Sequence, residues 1–241
     1  MLEGLLQFWL REFGVAAGKY LAVGGVLTLL YSQTWLRLNY VQRATSQPVR
    51  DNWLRVLLTL QTLLIYSSFG LILLFVQRQF GFSPVYTNIE ERGWPYFFFS
   101  IALMMVSIDA IFYWAHRVMH WRPVYIRVHK LHHRFINVTP WTTYSFHFYE
   151  SLVDSVLVFF LPLMFFPWHP AALAVYTTIN ITWSTYLHAG YDFIPKKWQN
   201  HVPFRWFYSS THHSLHHQYG LCNYGLYFAY WDRSMGTERL P

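Results

Sequence analysis

One cysteine, Cys222, stands among 241 residues. An internal disulfide is therefore excluded, and so is a zinc site built from thiolates. Charge is scarce too: Asp, Glu, Lys and Arg make up 12% of the chain, about half the share of an ordinary soluble domain. Acids are the scarcer sign, 11 against 18 Lys and Arg. The basic residues form no stripe suited to a nucleic-acid backbone and fall instead between apolar runs. No glycine-rich phosphate loop, solenoid repeat, low-complexity linker or strong strand alternation is visible, and no cleavable signal peptide is expected. With 54% of its residues hydrophobic and 21% aromatic, the chain reads as helical, with the membrane as its partner and no nucleic acid.

The apolar runs set the organisation. Residues 1–13 predict a short amphipathic helix at the interface. Gly14 to Tyr31 is the first candidate span, with Lys19 placed to snorkel, Leu54 to Val76 the second, and Phe97 to Trp114 the third. Leu152 to Trp168 and Ala171 to Leu187 are shorter and are separated by His169 and Pro170, so they predict a tight or re-entrant hairpin. The fold expected is an all-α integral membrane bundle with about four to five membrane segments. One domain is expected over 1–241, with anchor spans in 1–96 and the functional region in 97–241. Arg37, Arg43, Arg50 and Arg55 fall on the same side as Arg117, Arg122, Arg127, Lys130 and Arg134, which predicts a cytoplasmic face there.

That face carries the chemistry. Of 13 histidines, His116 and His120 are spaced to share one helix face, and His129 with His132 and His133 repeats the relation. HHSLHH at 212–217 supplies a third cluster through His213, His216 and His217, with His188 returned to the same side by the hairpin. Neutral imidazoles converging from rigid elements bind metals. Nine are too many for one tetrahedral zinc and suit two metals with open positions. All-imidazole ligation is compatible with iron, zinc, copper or nickel, and the context of oxygen chemistry on lipids favours iron. Around them, Asp109 lies two turns before His116 and is placed to orient a ligand, and His147 with Glu150, one turn apart, can support the site. His212 is the alternative to His213. Asp154, near an interface, carries no expected role, and His169 and His201 beside prolines read as structural. The aromatic residues over 204–231 read as packing.

HRVMH, VYIRVHKLHH and HHSLHH, in that order, resemble the three histidine boxes of the fatty acid hydroxylase/sterol desaturase superfamily. Thr139-Pro140, Phe146-His147, LHAGYDFIP at 187–195 and NYGLYFAYWDRSMGT at 223–237 extend the resemblance, within the superfamily, to sterol C-5 desaturases (lathosterol oxidases). The resemblance implies an integral membrane enzyme whose box histidines hold two iron ions. Such an enzyme uses O2 and two electrons to desaturate or hydroxylate a sterol or fatty-acyl lipid. No segment outside the membrane core is large enough for a fused cytochrome b5 domain. Electrons are therefore expected from a separate protein, such as cytochrome b5 with its reductase or a ferredoxin. The membrane would be the endoplasmic reticulum in a eukaryote and the inner membrane in a bacterium. A metal transporter is the rival from another class, but it should carry ionisable groups mid-span, whereas these histidines sit at span ends.

Overall fold

The computed structural model describes residues 2–32, 51–81, 84–160, 163–193, 195, 198 and 201–240. Arg37, Arg43 and Arg50 lie outside the described residues. Three helices, α1 (Leu2–Ser32), α2 (Asp51–Phe80) and α3 (Gly93–Met119), are long and apolar enough to cross a bilayer. The protein is a membrane protein. Large apolar side chains such as Leu29, Phe75, Phe98 and Val106 face outward from these helices, where hydrocarbon is the solvent.

α1 is one continuous helix, not an interfacial helix followed by a span. No proline or capping residue interrupts 1–13, and the apolar run of Gly14–Tyr31 carries the same helix onward. Lys19 does not snorkel. Its ammonium donates to the Ala174 carbonyl at 3.1 Å and to Thr177 Oγ1 at 2.9 Å, both on a neighbouring helix, which satisfies the charge locally. Arg55, expected in a loop, sits in the first turns of α2 with its guanidinium over the ring of Phe135, 5.1 Å from the centroid.

α3 is the axis of the site. Gly93 opens it at φ +74°, and Pro95 occupies its first turn, where no intrahelical N–H is lost. Its 27 residues run about 40 Å at ~1.5 Å per residue and end at His120, whose N–H bonds the His116 carbonyl at 3.1 Å. The second histidine cluster is not on an α-helix as the spacing predicts. α4 (Arg122–Arg127) stops early, and a turn plus a 3-10 turn (His132–Arg134) follow. The i, i+4 relation survives in the His133 N–H to His129 carbonyl bond of 3.3 Å.

The hairpin consists of α5 (Phe148–Val153) continuing as a π-helical segment (Asp154–Phe160), a turn, and α6 (Pro170–Leu187). It reaches the far end of the bundle. Trp168 pairs with residues 84–86 through bonds of 2.8 and 3.1 Å, and Tyr96 at the start of α3 donates to the Pro167 carbonyl at 2.8 Å. His169 caps α6, its Nδ1 accepting from Ala171 N–H at 3.1 Å. α6 then returns to the end where α3 finishes, followed by α7 (Ser210–Tyr219) and α8 (Tyr230–Ser234). Among the described residues β structure is limited to isolated bridges, Val85 with Trp168 and Phe207 with Phe228.

The segment between α7 and α8 folds back over α3. Asp232 is its knot: it accepts from Tyr224 N–H and Gly225 N–H, both at 2.9 Å, from Thr237 Oγ1 at 2.7 Å, and from the Tyr208 hydroxyl. Gly225 is required by this close approach. A Cβ there would meet Tyr208 Cε2 at 2.7 Å and the backbone oxygen of Phe228 at 2.8 Å.

Candidate metal centre

The ends of α3, α6 and α7 and the turn after α4 bring nine imidazoles into two groups. His116, His120, His129, His133 and His216 form one; His132, His188, His213 and His217 form the other. Within each group the candidate ligand atoms all lie within 4.8 Å of one another. α7 serves both groups because residues 213 and 217 share one of its faces and 216 lies beside them. Gly220, at φ +73°, ends that helix directly after the cluster.

The proton positions follow from the acceptors. His116 Nδ1 faces the Tyr224 carbonyl at 2.9 Å, His216 Nδ1 the Cys222 carbonyl at 2.7 Å, and His129 Nδ1 the Glu150 carboxylate at 2.6 Å. Carbonyl and carboxylate oxygens only accept, so each Nδ1 carries the hydrogen and each Nε2 presents a bare lone pair. Those of His116 and His129 face one another, and the Nε2 atoms of His120 and His133 lie among them. His116 to His129, His133 to His129 and His133 to His216 are each 3.0 Å, and His120 to His216 is 3.2 Å. The second group repeats the arrangement. His188 Nδ1 donates to the Ser184 carbonyl at 2.9 Å, while Nε2 separations of 3.0 Å (His213 to His188) and 3.1 Å (His217 to His213) close the group. The His116 and His129 lone pairs, at 3.0 Å, repel unless a cation lies beside them. The donor set therefore fits metal ions.

Burial keeps these rings neutral. It pushes the imidazoles of His120, His129, His132, His213, His216 and His217 below the usual histidine range, with the neighbouring rings adding to the effect. His133 is pushed down to about 3 by burial and then by His116. Neutral imidazole is the ligating form.

Of the expected supporting residues, Glu150 meets a histidine directly. Asp109 touches none: its Oδ1 accepts from the N–H groups of Leu226 (3.3 Å), Tyr227 (2.6 Å) and Phe228 (3.2 Å), anchoring the segment whose Tyr224 carbonyl holds His116. His147 caps α5, its Nδ1 accepting from Tyr149 N–H at 3.3 Å. His212 caps α7, its Nδ1 accepting from Ser209 N–H at 3.3 Å, with Nε2 3.8 Å from Glu238. Asp154, given no role by its position at the edge of an apolar stretch, is buried. It is 4% exposed and lines a cavity of about 60 Å³ beneath the histidines, together with Tyr66, Tyr144 and Asn180. The sequence gives no sign of the three carbonyls, Ser184, Cys222 and Tyr224, that fix ring tautomers, because any residue type can supply them.

The fatty acid hydroxylase family model matches residues 101–237, more than half of the chain. This chain belongs to the fatty acid hydroxylase family. The family match contains all nine converging histidines along with Asp109, Glu150 and Asp232. Among similar family proteins is the Delta(7)-sterol 5(6)-desaturase ERG3B of Gibberella zeae, 37% identical over 165 residues, covering 67% of this chain and 48% of the relative. Lathosterol oxidase of Mus musculus is 32% identical over 171 residues (70% and 55%), and that of Homo sapiens 33% identical over 173 (70% and 55%). The matched region spans about half the length of these curated relatives. No solved structure matches.

Proposed function

We propose that this chain is a non-haem di-iron oxidoreductase that uses O2 and external electrons to desaturate a membrane lipid, a sterol first. The observation that carries the reading is the convergence of nine imidazoles into groups of five and four, with the protons of His116, His129, His188 and His216 held on Nδ1. The five-membered group would hold one iron and the four-membered group the other. Bound ferrous ions supply the reduction of O2 and the removal of hydrogen from an unactivated C–H bond. Desaturation balances as two substrate hydrogens, O2, two electrons and two protons giving an alkene and two waters. Hydroxylation of the same lipid, which gives an alcohol and one water, is the second reading, favoured by the family's own description.

The chain's own residues prepare the site. Glu150 fixes the His129 ring and makes it a better donor. Phe112, Met119, Phe146, Leu187 and Leu226 wall the cavity beside the rings with apolar surface that excludes water. Arg117, Arg122, Arg127, Lys130 and Arg134 are all exposed around the histidine end. This rim supports a cytoplasmic orientation and suits a separate, acidic electron donor such as a cytochrome b5. The membrane would be the endoplasmic reticulum in a eukaryotic host and the inner membrane in a bacterial one.

The test is lipid mass spectrometry on cells expressing the wild type or His216→Ala under isotopically labelled O2, with metal analysis of the purified proteins. A wild-type product that has lost two hydrogens and gained no label, together with two irons per chain, is the expected result. A labelled product makes the enzyme a hydroxylase. Identical lipid profiles and no iron in the wild type would overturn the proposal.

A further inference from the structure

Asp154 stands one helical turn beyond Glu150, where α5 gives way to the π-helical segment. Its Oδ1 is buried and has no hydrogen-bond partner among the described residues. Its Oδ2 is approached by the Tyr66 hydroxyl at a long 3.5 Å. A buried acid with open acceptor capacity is costly unless something else donates to it. No histidine bonds it among the described residues, so the metal centre does not account for it.

The cavity that Asp154 lines, at about 60 Å³, has room for about two waters or for one hydroxyl and the carbons beside it. On the other side of the seam between α3 and the hairpin arm lies a groove of about 580 Å³, within the ~300–1,000 Å³ typical of small-molecule sites. Its lining is apolar, including Trp114, Val118, Val153 and Leu157, and it opens along a membrane-crossing helix. Met119, itself buried, lines both spaces.

We propose that Asp154 recognises a hydroxyl group on the lipid substrate. This rests on the reading of the site as a lipid oxidase. The lipid alcohol enters from the bilayer with its apolar body in the groove and its polar end past Met119. There its O–H donates to Asp154 Oδ1. Residues four apart on a helix hold their Cβ atoms about 5–6 Å apart, so a hydroxyl on Asp154 sets C–H bonds a few carbons away beside the rings that Glu150 and His129 position. In a sterol, the ring hydroxyl and the C–H bonds of the adjoining ring are that close.

The experiment is equilibrium binding to the full chain, metal-loaded and in lipid nanodiscs, using two probe pairs: a 3-hydroxysterol and its methyl ether, and a long-chain alcohol and its methyl ether. The wild type should bind the alcohol of a pair at least about tenfold more tightly than the ether. Asp154→Leu should lose the preference with metal content unchanged, and Asp154→Asn, which keeps an acceptor, should lose part of it. If the leucine variant fails to assemble, the asparagine variant decides, and an undiminished preference there overturns the proposal. Equal affinities in the wild type, as expected if a water alone occupies the acid, overturn it too. A preference confined to the long-chain pair would keep Asp154's role and end the sterol reading, whereas no binding of any probe would end both.

Discussion

Glu150 and His129 are 21 residues apart in the chain, yet their side chains meet at 2.6 Å with both groups buried. The bond ties the hairpin arm to the turn that carries the second histidine cluster. It also commits the His129 Nδ1 hydrogen, so the lone pair on Nε2 is left for a metal.

Replacing Glu150 with glutamine keeps the shape and turns the carboxyl group into an amide. The expected result is a folded protein whose metal affinity falls about 10- to 100-fold, the usual effect of losing a ligand's hydrogen-bonding partner. Competition with a chelator of known affinity measures it. An affinity equal to the wild type's would mean that Glu150 does not tune His129.

The buried imidazoles make stability depend on pH with a definite sign. In the unfolded chain histidine takes a proton near 6.5, whereas in the fold His133 does so only at about 3 and the other cluster rings also lie low. Below 6.5 the unfolded chain binds more protons, so stability is complete above that value and declines as the pH falls beneath it. Metal-stripped protein should melt progressively lower as the pH falls from about 6.5 towards about 3, and loaded protein should release metal as the pH falls below about 6.5. A flat melting profile would contradict the neutral burial of the rings.

Gly225→Ala inserts a methyl group against the Phe228 backbone oxygen, which cannot step aside as a side-chain end can. Overpacking of this kind costs about 1–3 kcal/mol. The displaced segment includes Tyr224, whose carbonyl orients His116. Lower thermal stability together with weaker metal retention is expected, read by melting and elemental analysis. Asp109→Leu, which strips three N–H groups of their acceptor, should reproduce both effects.

Lys19→Met provides a contrast. Its two bonds to α6 lie far from the histidines and are partly exposed, so the loss should be about 1 kcal/mol with metal content and turnover unchanged. A drop in metal content would show that α1 packing reaches the site.

The histidines were legible because ligand spacing is written in sequence: i, i+3 and i, i+4 relations hold whether the backbone is the α-helix of α7 or the turn at 129–133. Their division between two groups was not, since His132 and His133 are chain neighbours and separate only when the turn after α4 is folded. Spacing pairs Glu150 with His147, but His147 caps a helix and the carboxyl group meets His129. The place of Asp154 at the edge of an apolar stretch gives no sign of its burial against the cavity, which depends on how α2 and α3 pack on the hairpin arm. Asp109 was marked as functional from its depth in the membrane, which says that a partner exists without saying which one.

His132 and His133 belong to different groups, and α7 likewise lends His216 to one and His213 and His217 to the other. The two seats therefore share their backbone. A cation that orders the turn and α7 in filling one seat has already met the ordering entropy of the other, so the next ion finds its place set. Loading should proceed in pairs, with singly filled molecules scarce at any metal concentration, and damage to either seat should lower occupancy of both.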